Sequence, residues 1–256
     1  MSLLNFAVNY WIMVKELEDY HWFPKRLRKY QMDFIGNLVQ WVHLYKPLVP
    51  VVQGLMRQHH LRQITDCCSG NGAPALYIQQ QLAPMPSLTL SDKYPQPIEP
   101  TANVNYNITP IDVLQVMPQP HHLYTMFNAF HHFSTGEQQE LLKRLADAKA
   151  SCLIAEILQP NIAVLVKIFL TTTLVQLLTA PFIKPFSWGR LLFTYILPIN
   201  LITVTYDGII SVLKSKKSSQ YGQLVAGIPV TDYTFTVKKQ RQVSGNIIYI
   251  TGHSNT

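Results

Sequence analysis

Charge is what this sequence has least of. Only 14% of its 256 residues are Asp, Glu, Lys or Arg, where a soluble domain averages about 25%. Hydrophobic side chains make up 48%, enough apolar surface to offset chain entropy, so a disordered chain is excluded. Cysteine is nearly absent as well. Cys67, Cys68 and Cys152 are odd in number and two of them are adjacent, which excludes a disulfide framework. There is no internal repeat and no low-complexity tract. The opening Met1-Ser2-Leu3-Leu4-Asn5-Phe6 lacks the basic region and small-residue cleavage site of a secretory signal, so the expected compartment is a reducing cytoplasm.

The charge that is present is positive, +7 in formal net terms. Apart from Lys25-Arg26-Leu27-Arg28-Lys29 and Lys214-Ser215-Lys216-Lys217 it is scattered, whereas nucleic-acid binders concentrate charge on one face. Anionic membrane surfaces or acidic ligands suit the same numbers.

Residues 1–60 read as a helical cap, with Trp11, Val14, Leu17 and then Phe34, Leu38, Trp41, Val42, Tyr45 at helical spacing. From Leu61 short apolar runs alternate with helical stretches. Strands are expected at Leu61–Cys67, Leu88–Ser91, Leu123–Phe127 and Cys152–Glu156, with a further strand region before Asp112. A helix is expected at Pro74–Ala83, since proline suits the first helical position. Another opens at Ser134-Thr135-Gly136-Glu137, which has capping-box spacing. Alternation of this kind implies a parallel sheet with helices on its faces, here over residues 61–160. Residues 161–222 form an apolar helical insert. Residues 223–256 close the sheet, with Tyr233–Val237 and Ile247–Ile250 flanking the turn signal Val243-Ser244-Gly245-Asn246.

The chemistry concentrates in Ile64-Thr65-Asp66-Cys67-Cys68-Ser69-Gly70-Asn71-Gly72-Ala73-Pro74. An acid ends the first strand, and a small-residue turn with two glycines leads into a helix. Glycines let the backbone pass close to a ligand, and a helix N-terminus offers free amides. Asp92 ends the second strand, near the spacing at which an acid reaches ribose hydroxyls. Asp112 follows the third, and Phe127-Asn128-Ala129-Phe130-His131-His132-Phe133 the fourth.

This order resembles a class I S-adenosylmethionine-dependent methyltransferase over about Val49 to Glu156. Asp66-x-Cys68-Ser69-Gly70, the Phe127–Phe133 run and Tyr206-Asp207-Gly208-Ile209-Ile210-Ser211 resemble a bacterial branch of that family. The resemblance implies a Rossmann-like α/β fold with a mostly parallel seven-stranded sheet ending in an antiparallel hairpin. It implies S-adenosylmethionine as cofactor. The turn Cys68 to Gly72, with Ser69 and Gly70, would line its methionine part, and Asp66 and Cys67 would lead into it. Asp92 and its neighbour Lys93 would lie at the ribose, Asp112 and Val113 at the adenine amino group. Phe127 and Asn128 would meet the adenine face and the methionyl amine. Cys68 stands where the family usually has its first glycine. A dinucleotide-binding dehydrogenase is the competitor, and Gly70-x-Gly72-x-x-Ala75 would be tolerated there. The C-terminal hairpin favours the methyltransferase.

Methyl transfer to oxygen or carbon needs an aligned acceptor and a base. His131, His132 and Glu156 follow the fourth and fifth strands and are the candidate catalytic groups. Trp11, Tyr20, His21, Trp22, Phe23 and Tyr30 are candidates for a lid that binds the acceptor, with helix packing as the plainer reading. Asp207 joins them, or else pairs structurally with a residue such as Arg190. His59-His60 and His121-His122 are expected to be solvated. No pair has zinc spacing, so no metal is expected.

The expected acceptor is small and hydrophobic: aromatic, isoprenoid or lipid-like. A rival keeps the cofactor for non-methyl chemistry such as cyclisation. Another makes the fold a non-catalytic binding or assembly module, and an RNA-modifying enzyme is a minor one. No specific nucleic-acid partner is expected. Ile162–Phe182 reaches the length of a membrane span with one charge, Lys167. Helices buried against the sheet or in a homodimer, a patch in the membrane surface, and a spanning hairpin all stay open for the insert.

Overall fold

Short apolar runs separated by helical stretches produce seven strands, β1 (Gln63–Cys67), β2 (Ser87–Ser91), β3 (Val104–Tyr106), β4 (His122–Phe127), β5 (Ser151–Glu156), β6 (Tyr233–Gln242) and β7 (Gly245–Ser254). The longer helices are α1 (Lys25–Trp41), α2 (Val49–Gln58), α3 (Ala73–Gln81), α4 (Thr135–Asp147), α5 (Ile162–Leu170), α6 (Ile199–Lys214) and α7 (Ser218–Ala226). They come from a computed structural model that describes residues 14–96, 98–242 and 245–255. Two compact units result. A sheet unit comprises Leu38–Ile157 and Lys217–Thr256; a helical unit comprises Met1–Asn37 and Leu158–Lys216. Residues 38–60 therefore group with the sheet, not with the cap expected over 1–60, and α7 leaves the insert for the sheet unit as well.

In the sheet unit the strand order is β3-β2-β1-β4-β5-β7-β6. The first five strands pair in parallel, and β7 runs antiparallel between β5 and β6. Parallel strands covered on both faces read as continuous apolar runs. β4 shows the consequence: Leu123 and Phe127 pack into one core with α2 and α3, while Tyr124 and Met126 pack into the other with α4 and α7. The capping box at Ser134 forms in both directions: Ser134 Oγ accepts the Glu137 N–H at 3.3 Å, and Glu137 Oε2 the Ser134 N–H at 2.7 Å. β3 is three residues long at the sheet edge, too short for an apolar alternation to announce it. Winding reverses between β2 and β4 on either side of β1, which opens a crevice at the carboxyl ends of these strands.

In the helical unit α5 runs on through a π-turn at Thr171–Val175, so the chain is helical over Ile162–Phe182. Thr172 and Thr173 hydroxyls donate back to the Ile168 and Phe169 carbonyls at 2.9 and 2.6 Å, the local competition that widens a turn. Gly208 lets α6 approach α5 closely, since a Cβ there would sit 2.8 Å from Ile168 Cγ2. Only 11% of the most apolar window of Ile162–Phe182 is buried.

Candidate active site

The site is built at the carboxyl end of β1. Three of the five residues Cys68 to Gly72 take left-handed backbone angles, with φ of 57° at Cys68, 54° at Gly70 and 73° at Gly72. At Gly72 a side chain is disfavoured twice, by the left-handed backbone and because a Cβ would lie 2.5 Å from Leu90 Cδ1, which would have to shift. Ser69 and Ser91 stitch the turn to the strand ends. Both hydroxyls donate to the Asp66 carbonyl, at 2.9 and 3.1 Å, and Ser69 Oγ accepts the Ser91 N–H at 3.1 Å. Asp92 closes over the turn, accepting the Gly70 N–H at 2.7 Å on one oxygen and the Tyr94 N–H at 2.7 Å on the other. The Tyr106 hydroxyl donates to the Gly70 carbonyl at 2.6 Å.

Three carboxylates thus gather at one mouth of a chain whose net charge is +7. Asp66 is buried, and the Thr125 hydroxyl donates to its carboxylate at 2.6 Å. Burial, with Asp92 nearby, pushes its carboxyl up to about 7 against the pull of Thr125 and Ser69. At Asp112 burial is outweighed by the Lys93 ammonium at 2.9 Å and by the Leu114 N–H, so that carboxyl is held below its usual range. Val113 is buried in the turn that Asp112 caps, and Lys93 is exposed.

After β4 comes the opposite wall. Phe127 is buried, edge-on to Tyr45 at 5.1 Å between ring centres. Asn128 is left-handed, φ 50°, and donates its N–H to the Ala155 carbonyl at 2.7 Å. Glu156 receives the N–H groups of Phe130 and His131 on Oε1, at 2.7 and 3.3 Å, and lies 2.8 Å from His131 Nδ1 on Oε2. A carboxylate accepting two amides also accepts from the imidazole, so Nδ1 is the nitrogen that donates to Glu156. His131 and Glu156 are therefore one buried pair, with the tilted ring of His132 beside it at 4.6 Å between ring centres.

Trp11 lies outside the described residues. Tyr20, His21, Trp22, Phe23, Tyr30 and Asp207 all belong to the helical unit. Phe23 and Tyr30 are buried with Leu27, Tyr20 stacks on the exposed Trp22, and His21 is exposed. Asp207 is not the partner of Arg190. It accepts the N–H groups of Leu17 and Glu18 and the Gln31 amide at 2.5, 3.3 and 2.8 Å, while Arg190 pairs with Asp33 at 3.2 Å. Burial pushes Asp207 up to about 6.

Sequence reasoning missed Thr125, Ser91 and Tyr106. Ser91 adjoins Asp92 and was within reach; Thr125 and Tyr106 carry no local signal. The cysteines offer no nucleophile: burial pushes the Cys67 and Cys152 thiols up to about 12 and the Cys68 thiol up too. His59, His60, His121 and His253 line a separate recess at the other end of the strands.

No protein-family model matches the sequence, and a comparison with the curated proteins finds no match. Among solved structures, the plantazolicin methyltransferase BpumL in complex with a monoazolic desmethylPZN analog and SAH is similar at 12% identity and a TM-score of 0.58, covering 99% of this chain and 100% of that one. BpumL in complex with SAH gives 10% identity and a TM-score of 0.54, again over 99% and 100%. Human N-acetylserotonin methyltransferase in complex with SAM gives 15% identity and a TM-score of 0.47, over 83% of this chain. This chain spans 53% of that protein.

Proposed function

We propose that this chain, which has the fold of the class I S-adenosylmethionine-dependent methyltransferases, binds S-adenosylmethionine and transfers its methyl group to a small hydrophobic acceptor. One observation carries the reading. The left-handed turn Cys68–Gly72 and the Asp92 carboxylate meet at the switch point of a parallel sheet, 2.7 Å apart at Gly70 N–H.

The residues present fit a cationic, ribose-bearing ligand. Asp66, Asp92 and Asp112 give the mouth negative charge, and a bound cation would relieve the repulsion between Asp66 and Asp92. Asp92 would accept from the ribose hydroxyls, Asp112 would meet the adenine edge, and Phe127 and Asn128 would form the opposite wall. Bound S-adenosylmethionine supplies an electrophilic methyl group on its sulfonium. The protein's part is to hold the acceptor in line and to take its proton where one must leave. His131 suits that task, because Glu156 fixes its tautomer and stabilises the imidazolium that would form. Glu156 is a positioning residue in this reading, and His132 a neighbour of the base.

Calorimetric titration of S-adenosylmethionine and S-adenosylhomocysteine into the chain, with Asp92→Ala in parallel, tests it. Saturable binding that falls by about 30-fold or more in the variant is expected, since losing a charged hydrogen-bond partner costs about 2 kcal/mol or more. A folded wild-type chain that binds neither ligand overturns the reading.

A further inference from the structure

We propose that the helical unit seats itself in the surface of a bilayer carrying anionic headgroups, through the exposed apolar faces of the chain from Ile162 to Tyr206. This stands independently of the cofactor reading.

Polarity is inverted over much of residues 162–206. Water drives apolar side chains inward and tolerates buried polar groups only when they are paired. Here Gln176, Arg190, Thr194, Asn200, Asp207 and Ser211 are buried. Among the described residues both side-chain polar atoms of Gln176, and Oδ1 of Asn200, have no hydrogen-bond partner. The large apolar side chains point outward instead. Ile162, Val166, Leu170, Leu174, Leu178 and Phe182, at every fourth position, are all exposed. On an α-helix that spacing drifts by about 40° per step. The π-turn at Thr171–Val175 rotates less per residue and draws the stripe back towards one line. Ile196, Ile199, Ile202 and Tyr206 carry an exposed stripe along the returning arm. Water-soluble monomers rarely expose a contiguous patch of more than a few hundred Å².

Charge selects the occupant. No Asp or Glu occurs between Glu156 and Asp207, while the exposed Lys184 and the half-buried Lys167 do. A second copy would set this acid-free stretch against itself, whereas anionic headgroups complement it. Exposed Trp188 and Tyr195 are the amphipathic aromatics that favour the headgroup level. The hairpin lies on the surface and does not cross. Its bend is tied to α1 by Arg190 to Asp33 at 3.2 Å and by Asn37 to the Lys184 carbonyl at 2.7 Å, and crossing would drag the exposed Lys25, Arg26 and Lys29 of α1 with it.

The test is flotation of the full chain with phosphatidylcholine vesicles, with and without phosphatidylglycerol, beside the triple variant Leu170→Glu, Leu174→Glu, Leu178→Glu. Wild type is expected to float with the anionic vesicles. The vesicle-bound fraction should fall by about tenfold or more in the variant, because apolar anchoring is lost and like charge is added. Its thermal melt should not move, since all three side chains are exposed. Should the triple variant misfold, a blue shift of tryptophan emission on adding anionic vesicles, lost in Trp188→Phe, supports the proposal by itself. A wild-type chain that stays soluble beside both vesicles overturns it. So does a dimer that the triple variant converts to monomers while neither chain floats.

Discussion

In the sheet unit, β5 buries all six of its residues and β4 all but His122, and the acids taken inside, Asp66 and Glu156, are held by hydrogen bonds. In the helical unit, α5 has no buried residue, while α6 buries Asn200, Thr203, Asp207 and Ser211 beside Val204, Ile210 and Val212. The two regions draw on the same apolar-rich composition, but the helical unit leaves much of its share exposed between Ile162 and Tyr206. Sorting by burial is what water dictates, so the sheet unit reads as a protein solved by its own core. The helical unit is held by polar contacts within and leaves its apolar area unspent, which is the arrangement of a surface awaiting a non-aqueous neighbour.

If polar contacts hold the helical unit together, its most sensitive residue is Arg190. Its side chain is fully buried, paired with Asp33, and bonded to the Ile183 and Pro185 carbonyls at 2.5 and 2.7 Å. Arg190→Met should cost about 3–5 kcal/mol, because Asp33 is left as a buried charge with only Lys29 to answer it. Adding Asp33→Asn should restore part of the loss. Chemical denaturation of the three variants checks this, and equal stability of Arg190→Met and wild type would remove the contrast between the units.

The sheet unit should break at its backbone instead. Gly72→Ala puts a Cβ into Leu90 at a left-handed position, and we expect a loss of about 2–3 kcal/mol by the same measurement. Gly54→Ala, where a Cβ meets nothing within 4 Å, is the control and should be neutral or slightly stabilising.

Asp66 gives the pH dependence of the sheet unit. Its carboxyl sits at about 7 when folded, raised chiefly by burial from the ordinary 3.8. A group raised in this way favours the folded state most below the unfolded value, and that stability is lost as pH rises through about 7. Between pH 6 and pH 7 the loss is at most about 1.4 kcal/mol. Denaturation midpoints across pH 5 to 8 should show a slope that Asp66→Asn removes.

The alternating pattern from Leu61 onward made the parallel sheet legible, because period and turn residues are local properties. So were the capping box at Ser134 and the glycine turn. The partition of the helices was not legible. Whether residues 38–60 and α7 pack with the sheet is decided by contacts far along the chain, and no periodicity encodes them. The Asp207 partners show the same limit. A buried acid in apolar company was readable, but it is answered by two backbone amides from Leu17 and Glu18, groups that every residue possesses. At the site, Asp92 and the glycines stood out by type and position. The link from His131 to Glu156 did not, since 25 residues separate them in the chain and adjacent strands β4 and β5 bring them together.

The smallest effect tests the least conventional residue in the turn. Cys68 occupies a left-handed position, φ 57°, where the resemblance leads one to expect glycine. A side chain there costs about 1 kcal/mol in strain, and glycine would relieve it while adding unfolded-state entropy of similar size. Cys68→Gly should therefore leave stability within about 0.5 kcal/mol of wild type. Ligand affinity is the discriminating readout. If the thiol merely narrows the mouth, the variant binds S-adenosylmethionine more tightly in the same titration as Asp92→Ala. If Cys68 holds the turn in shape through its half-buried side chain, affinity falls although stability does not. The second result would mean that the turn is fixed by packing, as the rest of the sheet unit is, and not by backbone freedom.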